Sequence, residues 1–157
     1  MSNARGANRY VVARADSVSE GGRIIVDVAG ISIGIFRHDG AFYAVLNRCP
    51  HQGAELCKGT MVGLLEADVP GEIRFDGGHK LLECPWHGWE FDLATGKSYF
   101  DPVRTRVRRY DVSVEHGDAV ARDLDAGGST QLVEGPYTLE RFPVSVEADY
   151  LVVTLQR

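Results

Sequence analysis

Two short segments combine sulfur and imidazole donors: Cys49-Pro50-His51 and, after 32 intervening residues, Cys84-Pro85-Trp86-His87. Each supplies one thiol and one imidazole. Thiolates select copper(I), zinc or iron–sulfur clusters, and imidazole suits several borderline metals, so donor type alone leaves zinc open. A structural zinc site usually keeps like ligands together, as Cys-x2–4-Cys followed by His-x3–5-His. Here the pairs are mixed. Two mixed arms suit a two-iron cluster better, with both cysteines on one iron and both histidines on the other. The chain has three cysteines. An odd number without a secretion signal argues against a disulfide framework and for thiolate ligation.

Donors spaced in this way need two loops held at strand ends. Ile24, Val26 and Val28 alternate with Ile25, Asp27 and Ala29, and after Gly30 the alternation resumes through Ile31, Ile33 and Ile35, the pattern of a hairpin. Asp39-Gly40 suits a two-residue turn with positive φ, and Ala41–Leu46 is the next strand, leading at Asn47 into the loop of Cys49 and His51. Met61–Leu65 and Ile73–Phe75 predict short strands around Pro70-Gly71, with Lys80–Glu83 leading into Cys84. Past the second loop, Trp89–Leu93 alternates and Ala94-Thr95-Gly96-Lys97 predicts a hairpin turn before Ser98–Phe100. In the C-terminal third, Arg109–Glu115 matches Arg141–Glu147 at an offset of 32 residues, which predicts two similar edge hairpins, the first turning at Glu115–Asp118. Pro143 fits an edge because proline lacks the ladder donor. Asp123–Gly128 reads as a polar connection.

At 157 residues and 44% hydrophobic content the chain suits one domain with one core, spanning 1–157. Eighteen glycines, and no long stretch with apolar residues at helical spacing, predict an all-β fold. A net charge of −5 without a concentrated basic face excludes a nucleic-acid partner. No run approaches the roughly 18 apolar residues of a membrane span. Met1–Tyr10 has no apolar core, twin arginine or small-residue cleavage site, which predicts a cytoplasmic protein.

The flanks of the donors carry a resemblance. Cys49-Pro50-His51-Gln52-Gly53-Ala54 and Cys84-Pro85-Trp86-His87-Gly88-Trp89-Glu90-Phe91-Asp92, with Thr95-Gly96 beyond, resemble the two cluster-binding boxes of Rieske ferredoxins and of the Rieske domains of ring-hydroxylating oxygenases. Gly40–Ala44 before Asn47 is similar to the strand that leads into the first box. The resemblance covers about residues 10–115, leaving about 116–157 as a β extension. It implies the Rieske iron–sulfur fold: an antiparallel β-sandwich with a small cluster-binding subdomain, here with an extra C-terminal hairpin. It also implies one [2Fe–2S] cluster per chain, held by Cys49, His51, Cys84 and His87, with Gly53, Trp86, Gly88 and Trp89 around it. Gly53 and Gly88 would let backbone N–H groups approach the sulfides, and Pro50 and Pro85 would stiffen the loops. With neutral imidazoles the oxidised cluster is formally neutral and the reduced one singly negative, so one electron moves.

Rieske proteins of respiratory complexes add a disulfide between the boxes and a serine after the second. Those positions hold Ala54, Trp86 and Trp89 here, and fewer hydroxyl donors predict a potential near the lower end of the roughly −150 to +300 mV Rieske range. Cys57 reads as a small buried hydrophobe. His38, His79 and His116 read as solvated turn residues, and Trp86 and Trp89 as core anchors of the second loop. Ring-hydroxylating oxygenases add a mononuclear iron held by two histidines and a carboxylate; the three remaining histidines do not form such a set, and the chain is too short for that domain.

The expected role is therefore that of an electron carrier between a flavin-dependent reductase and an oxygenase or other terminal enzyme. The small Rieske subunit of a multisubunit oxidoreductase, and a redox sensor or scaffold, are the alternatives. Glu66–Gly78 reads as an insertion, an extra hairpin or loop that selects the redox partner. The C-terminal hairpin could cover a sheet edge or support a homo-oligomer.

Overall fold

The computed structural model describes residues 8–69, 71–98, 101, 103–125, 130–132 and 147–155. Among them, strands run over Asn8–Arg14 (β1), Arg23–Val28 (β2), Ile31–His38 (β3), Ala41–Leu46 (β4), Thr60–Val69 (β5), Glu72–Glu83 (β6), Glu90–Asp92 (β7), Arg109–His116 (β8), Thr130–Leu132 (β9) and Asp149–Leu155 (β10). A single α-helix, Gly117–Asp125 (α1), follows β8. The chain divides into two compact units, one of residues 1–44 with 110–157 and one of residues 45–109.

The first unit is built on a seven-stranded sheet in the order β2-β3-β4-β8-β10-β1-β9. β2 and β3 form the predicted hairpin, with Val28 opposite Ile31, and the Asp39-Gly40 turn has positive φ at both residues, 50° and 75°. Glu20 reaches back to this turn and accepts the Gly40 N–H at 3.1 Å. Tyr150, Leu151, Val152 and Val153 of β10 are all buried. Successive strand residues point to opposite faces, so four in a row means that both faces of β10 are covered.

That burial corrects the C-terminal expectation. β8 and β10 do pair antiparallel, His116 opposite Asp149, but β8 lies between β4 and β10, and β10 between β8 and β1. Neither is an edge, so the pair offers no free ladder to a second copy; the sheet ends at β2 and β9. The predicted turn at Glu115–Asp118 is instead the end of β8 and the start of α1. His116 Nδ1 accepts the Asp118 N–H at 3.3 Å, Asp118 pairs with Arg122 at 2.7 Å one turn on, and Val120 and Leu124 turn to a cluster of Val11, Tyr150 and Val152. Asp123–Asp125, read as connection, is the last turn of this helix. A nine-residue amphipathic segment is too short to stand out as a long periodic stretch. Pro143 and the second copy's Arg141–Val146 lie outside the described residues.

The second unit carries a three-stranded antiparallel sheet, β5-β6-β7. The two short strands expected between the loops are two long ones, the second running on through Lys80–Glu83. Gly63 faces Lys80 and Leu64 faces Asp76, so Gly77, Gly78 and His79 are extra residues on β6, absorbed as a bulge. His79 is thus a strand residue and not part of a turn. Residues 66–69 and 71–78 form the far end of this hairpin. Leu56, Leu81, Leu82, Phe91 and Leu93 make the unit's core. After β7, Asp92 Oδ1 accepts the N–H groups of Ala94 and Thr95 at 2.8 and 3.1 Å, which fixes the predicted turn, and Phe91 bridges to Ser98.

No helix among the described residues is long and apolar enough to cross a membrane.

Candidate metal centre

Both donor loops lie in the second unit, and both are closed by the same backbone scheme. In the first, the Cys49 N–H donates to the Ala54 carbonyl and the Gly53 N–H to the Cys49 carbonyl, each at 2.8 Å. In the second, the Cys84 N–H donates to the Trp89 carbonyl at 2.7 Å and the Gly88 N–H to the Cys84 carbonyl at 3.0 Å. Each cysteine therefore opens a turn that a glycine four residues later closes. Gly53 and Gly88 have φ of 80° and 70°, a left-handed conformation that a Cβ makes costly. Their own N–H groups are committed to cysteine carbonyls, and the freedom they supply to the loop is conformational.

The donors separate by kind. Cys49 and Cys84 are buried, at 1% and 3% exposure, with their thiols within interaction range of each other, while His51 and His87 are exposed with ring centroids 5.1 Å apart and planes at 82°. Sulfurs lie inside and imidazoles outside. A mononuclear tetrahedral ion would have all four donors about one centre; paired sulfurs and paired nitrogens match a cluster with unlike irons. Burial pushes the Cys49 thiol above its ordinary pKa. The N–H groups of His51 and Gln52 aim at its sulfur and pull the other way, while the neighbouring Cys84 thiol adds to the rise. Those two N–H donors, next to the sulfur in sequence, favour charge there once the proton has left.

The first loop is anchored from behind. Cys57 is fully buried, its N–H donates to Asn47 Oδ1 at 2.8 Å, and its thiol faces the Val45 carbonyl at 3.8 Å. It is the inert core residue expected, with Ala54 and Leu56 buried beside it. Gly59 was missed from sequence. A Cβ there would lie 1.9 Å from the carbonyl oxygen of Glu83, the residue before Cys84, so this close approach is open only to glycine. Nothing local signals it, because the crowding partner is 24 residues away.

The tryptophans depart from expectation. Trp86 is 59% exposed, since the turn that buries Cys84 leaves the loop's middle residues outside. Trp89 is half-buried and stacks on His51, centroids 4.4 Å apart and planes 16° from parallel. Such pairs contribute roughly 0.5–1.5 kcal/mol beyond the area they bury. His38 is less exposed than expected, its side chain only 15% accessible beside Asp39, and His116 is exposed at the start of α1. Glu83 and Glu90 face each other across β6 and β7 at the base of the second loop, and burial, then Glu83, holds the Glu90 carboxyl above its usual range.

Comparison with known proteins agrees with this geometry. The family described as the Rieske [2Fe–2S] domain matches residues 8–111. The 3-phenylpropionate/cinnamic acid dioxygenase ferredoxin subunit of Escherichia coli (strain K12) is 32% identical over 111 residues, 71% of this chain and 90% of that protein. Among solved structures, the carbazole 1,9a-dioxygenase ferredoxin of Nocardioides aromaticivorans IC177 has a TM-score of 0.54 at 22% identity, covering 96% of this chain and 100% of its own. A Mycobacterium tuberculosis protein assigned as the small subunit of an NADH-dependent nitrite reductase has a TM-score of 0.59 at 19% identity, covering 97% and 98%. These two structures are likenesses of fold. The chain belongs to the Rieske [2Fe–2S] domain family, and its cofactor is a [2Fe–2S] cluster.

Proposed function

We propose that Cys49, His51, Cys84 and His87 hold the cluster, and that the chain carries single electrons from a flavin-dependent reductase to an oxygenase or other terminal oxidoreductase. The separation of buried sulfurs from exposed imidazoles carries this reading. When bound, the cluster supplies reversible one-electron chemistry. The residues of the chain do the rest: the fold keeps Cys49 and Cys84 buried away from water, while His51 and His87 bring the histidine side to the surface. A relative named as a dioxygenase ferredoxin subunit, 90% of which is covered, supports the carrier role. On this reading the protein works in the cytoplasm, where reducing conditions suit a Cys57 that forms no disulfide. The hairpin end at residues 66–78 selects the redox partner.

The deciding experiment is EPR of the dithionite-reduced protein with iron and acid-labile sulfide analysis. About two irons and two sulfides per chain are expected, with Cys84→Ser losing the signal. Zinc without sulfide overturns the cluster. Reduction by NADH and a flavin reductase, followed by turnover of an oxygenase, tests the role; failure to reduce cytochrome c or any oxygenase overturns it.

A further inference from the structure

We infer that Trp89 is the positioning residue of His51, making the two imidazoles of the site unequal. This rests on the reading above that His51 holds the cluster. His51 is bounded on two sides: the Trp89 indole lies parallel to one face, and the His87 ring meets it nearly at right angles. A planar ligand binds through one nitrogen lying in its ring plane, so a wall parallel to that plane limits its tilt and keeps water from one face. Trp89 is half-buried and thus held, whereas the other loop tryptophan, Trp86, is 59% exposed. The two features of Trp89 are separable, because the bond that closes its loop uses its backbone carbonyl and survives a change of side chain.

The direction of the effect follows from charge. Reduction adds one negative charge, which water stabilises better than an indole does. Removing the indole opens His51 to water and draws the equilibrium toward the reduced form. Trp89→Leu keeps an apolar side chain but no plane, and Trp89→Phe keeps a plane; Trp86→Leu serves as the control.

In the cluster-loaded full chain, Trp89→Leu should shift the one-electron reduction equilibrium about three- to tenfold toward reduction, tenfold being 59 mV. It should also broaden the reduced-state EPR signal as His51 samples more orientations. Trp89→Phe and Trp86→Leu should stay within about twofold of the parent. Equal shifts in Trp89→Leu and Trp89→Phe, or none in Trp89→Leu, overturn the inference. If Trp89→Leu fails to load while Trp89→Phe loads and keeps the parent potential, the need for an aromatic plane is upheld; if both fail to load, Trp89 is a folding residue and the inference falls. A parent without a Rieske EPR signal would instead refute the ligand assignment, so the two failures are distinct.

Discussion

A Cβ at Gly59 would enter the Glu83 carbonyl, so Gly59→Ala must push the exit of the first loop away from the strand that feeds the second. Overpacking of this kind costs about 1–3 kcal/mol. Thermal denaturation should show that loss together with a lower iron content. Gly53→Ala should cost roughly 1–2 kcal/mol through its left-handed φ alone, which the same melts would read. The Glu83–Glu90 pair makes a prediction of the opposite sign. Glu90 holds its proton to higher pH in the fold than in the unfolded chain, so its charged form opposes folding increasingly as pH rises through the folded value. Glu90→Gln should therefore stabilise by a few tenths of a kcal/mol at neutral pH, with the advantage shrinking toward pH 5, in urea melts at both. It should also raise the reduction potential, since one negative charge fewer opposes the incoming electron. At this scale the meeting of the two Cys–His segments was legible, because each is written in one short stretch of sequence. Gly59 was not, because its constraint is a tertiary contact, and the contrast of Trp86 with Trp89 was not, because only the closed turn decides which indole points out.

Strands announced themselves where a hairpin was local. β2, β3 and β4 have alternation and a turn signal inside one short stretch, and β4 falls on Ala41–Leu46 as read. The places of β8 and β10 were hidden, because their neighbours in the sheet come from distant parts of the chain. A run such as Tyr150–Val153 signals a central strand by its unbroken apolarity, and the internal similarity drew the reading to an edge instead. The β5–β6 hairpin was half legible: strand was expected on both sides of Pro70-Gly71, but nothing in the sequence marked β6 as continuous from Glu72 to Glu83. Shortening that hairpin across residues 66–78 should leave the reduced-state EPR spectrum unchanged and slow reduction by the partner at least severalfold in stopped-flow mixing. An unchanged rate would show that partner choice lies elsewhere.

For the molecule as a redox carrier, protein film voltammetry should place the potential near the lower end of the roughly −150 to +300 mV Rieske range, because the position after His87-Gly88, a serine in the Rieske proteins of respiratory complexes, is Trp89 and offers no hydroxyl. The fold class, the family and, through the resemblance, a small cluster-binding subdomain could be read from two boxes and a pattern of strands; the bounds of the second compact unit could not, since the chain enters it at Val45 and leaves it at Arg109 with no change of composition to mark either point. Many small metal domains draw their order from the ion they bind and unfold without it. In this chain four backbone hydrogen bonds already close both donor turns. Iron removed by a chelator should therefore leave the far-ultraviolet circular dichroism nearly unchanged, and iron with sulfide should restore the visible spectrum without a refolding step. Damage to the cofactor by oxygen then becomes a matter of local repair, and the polypeptide can outlive several successive clusters.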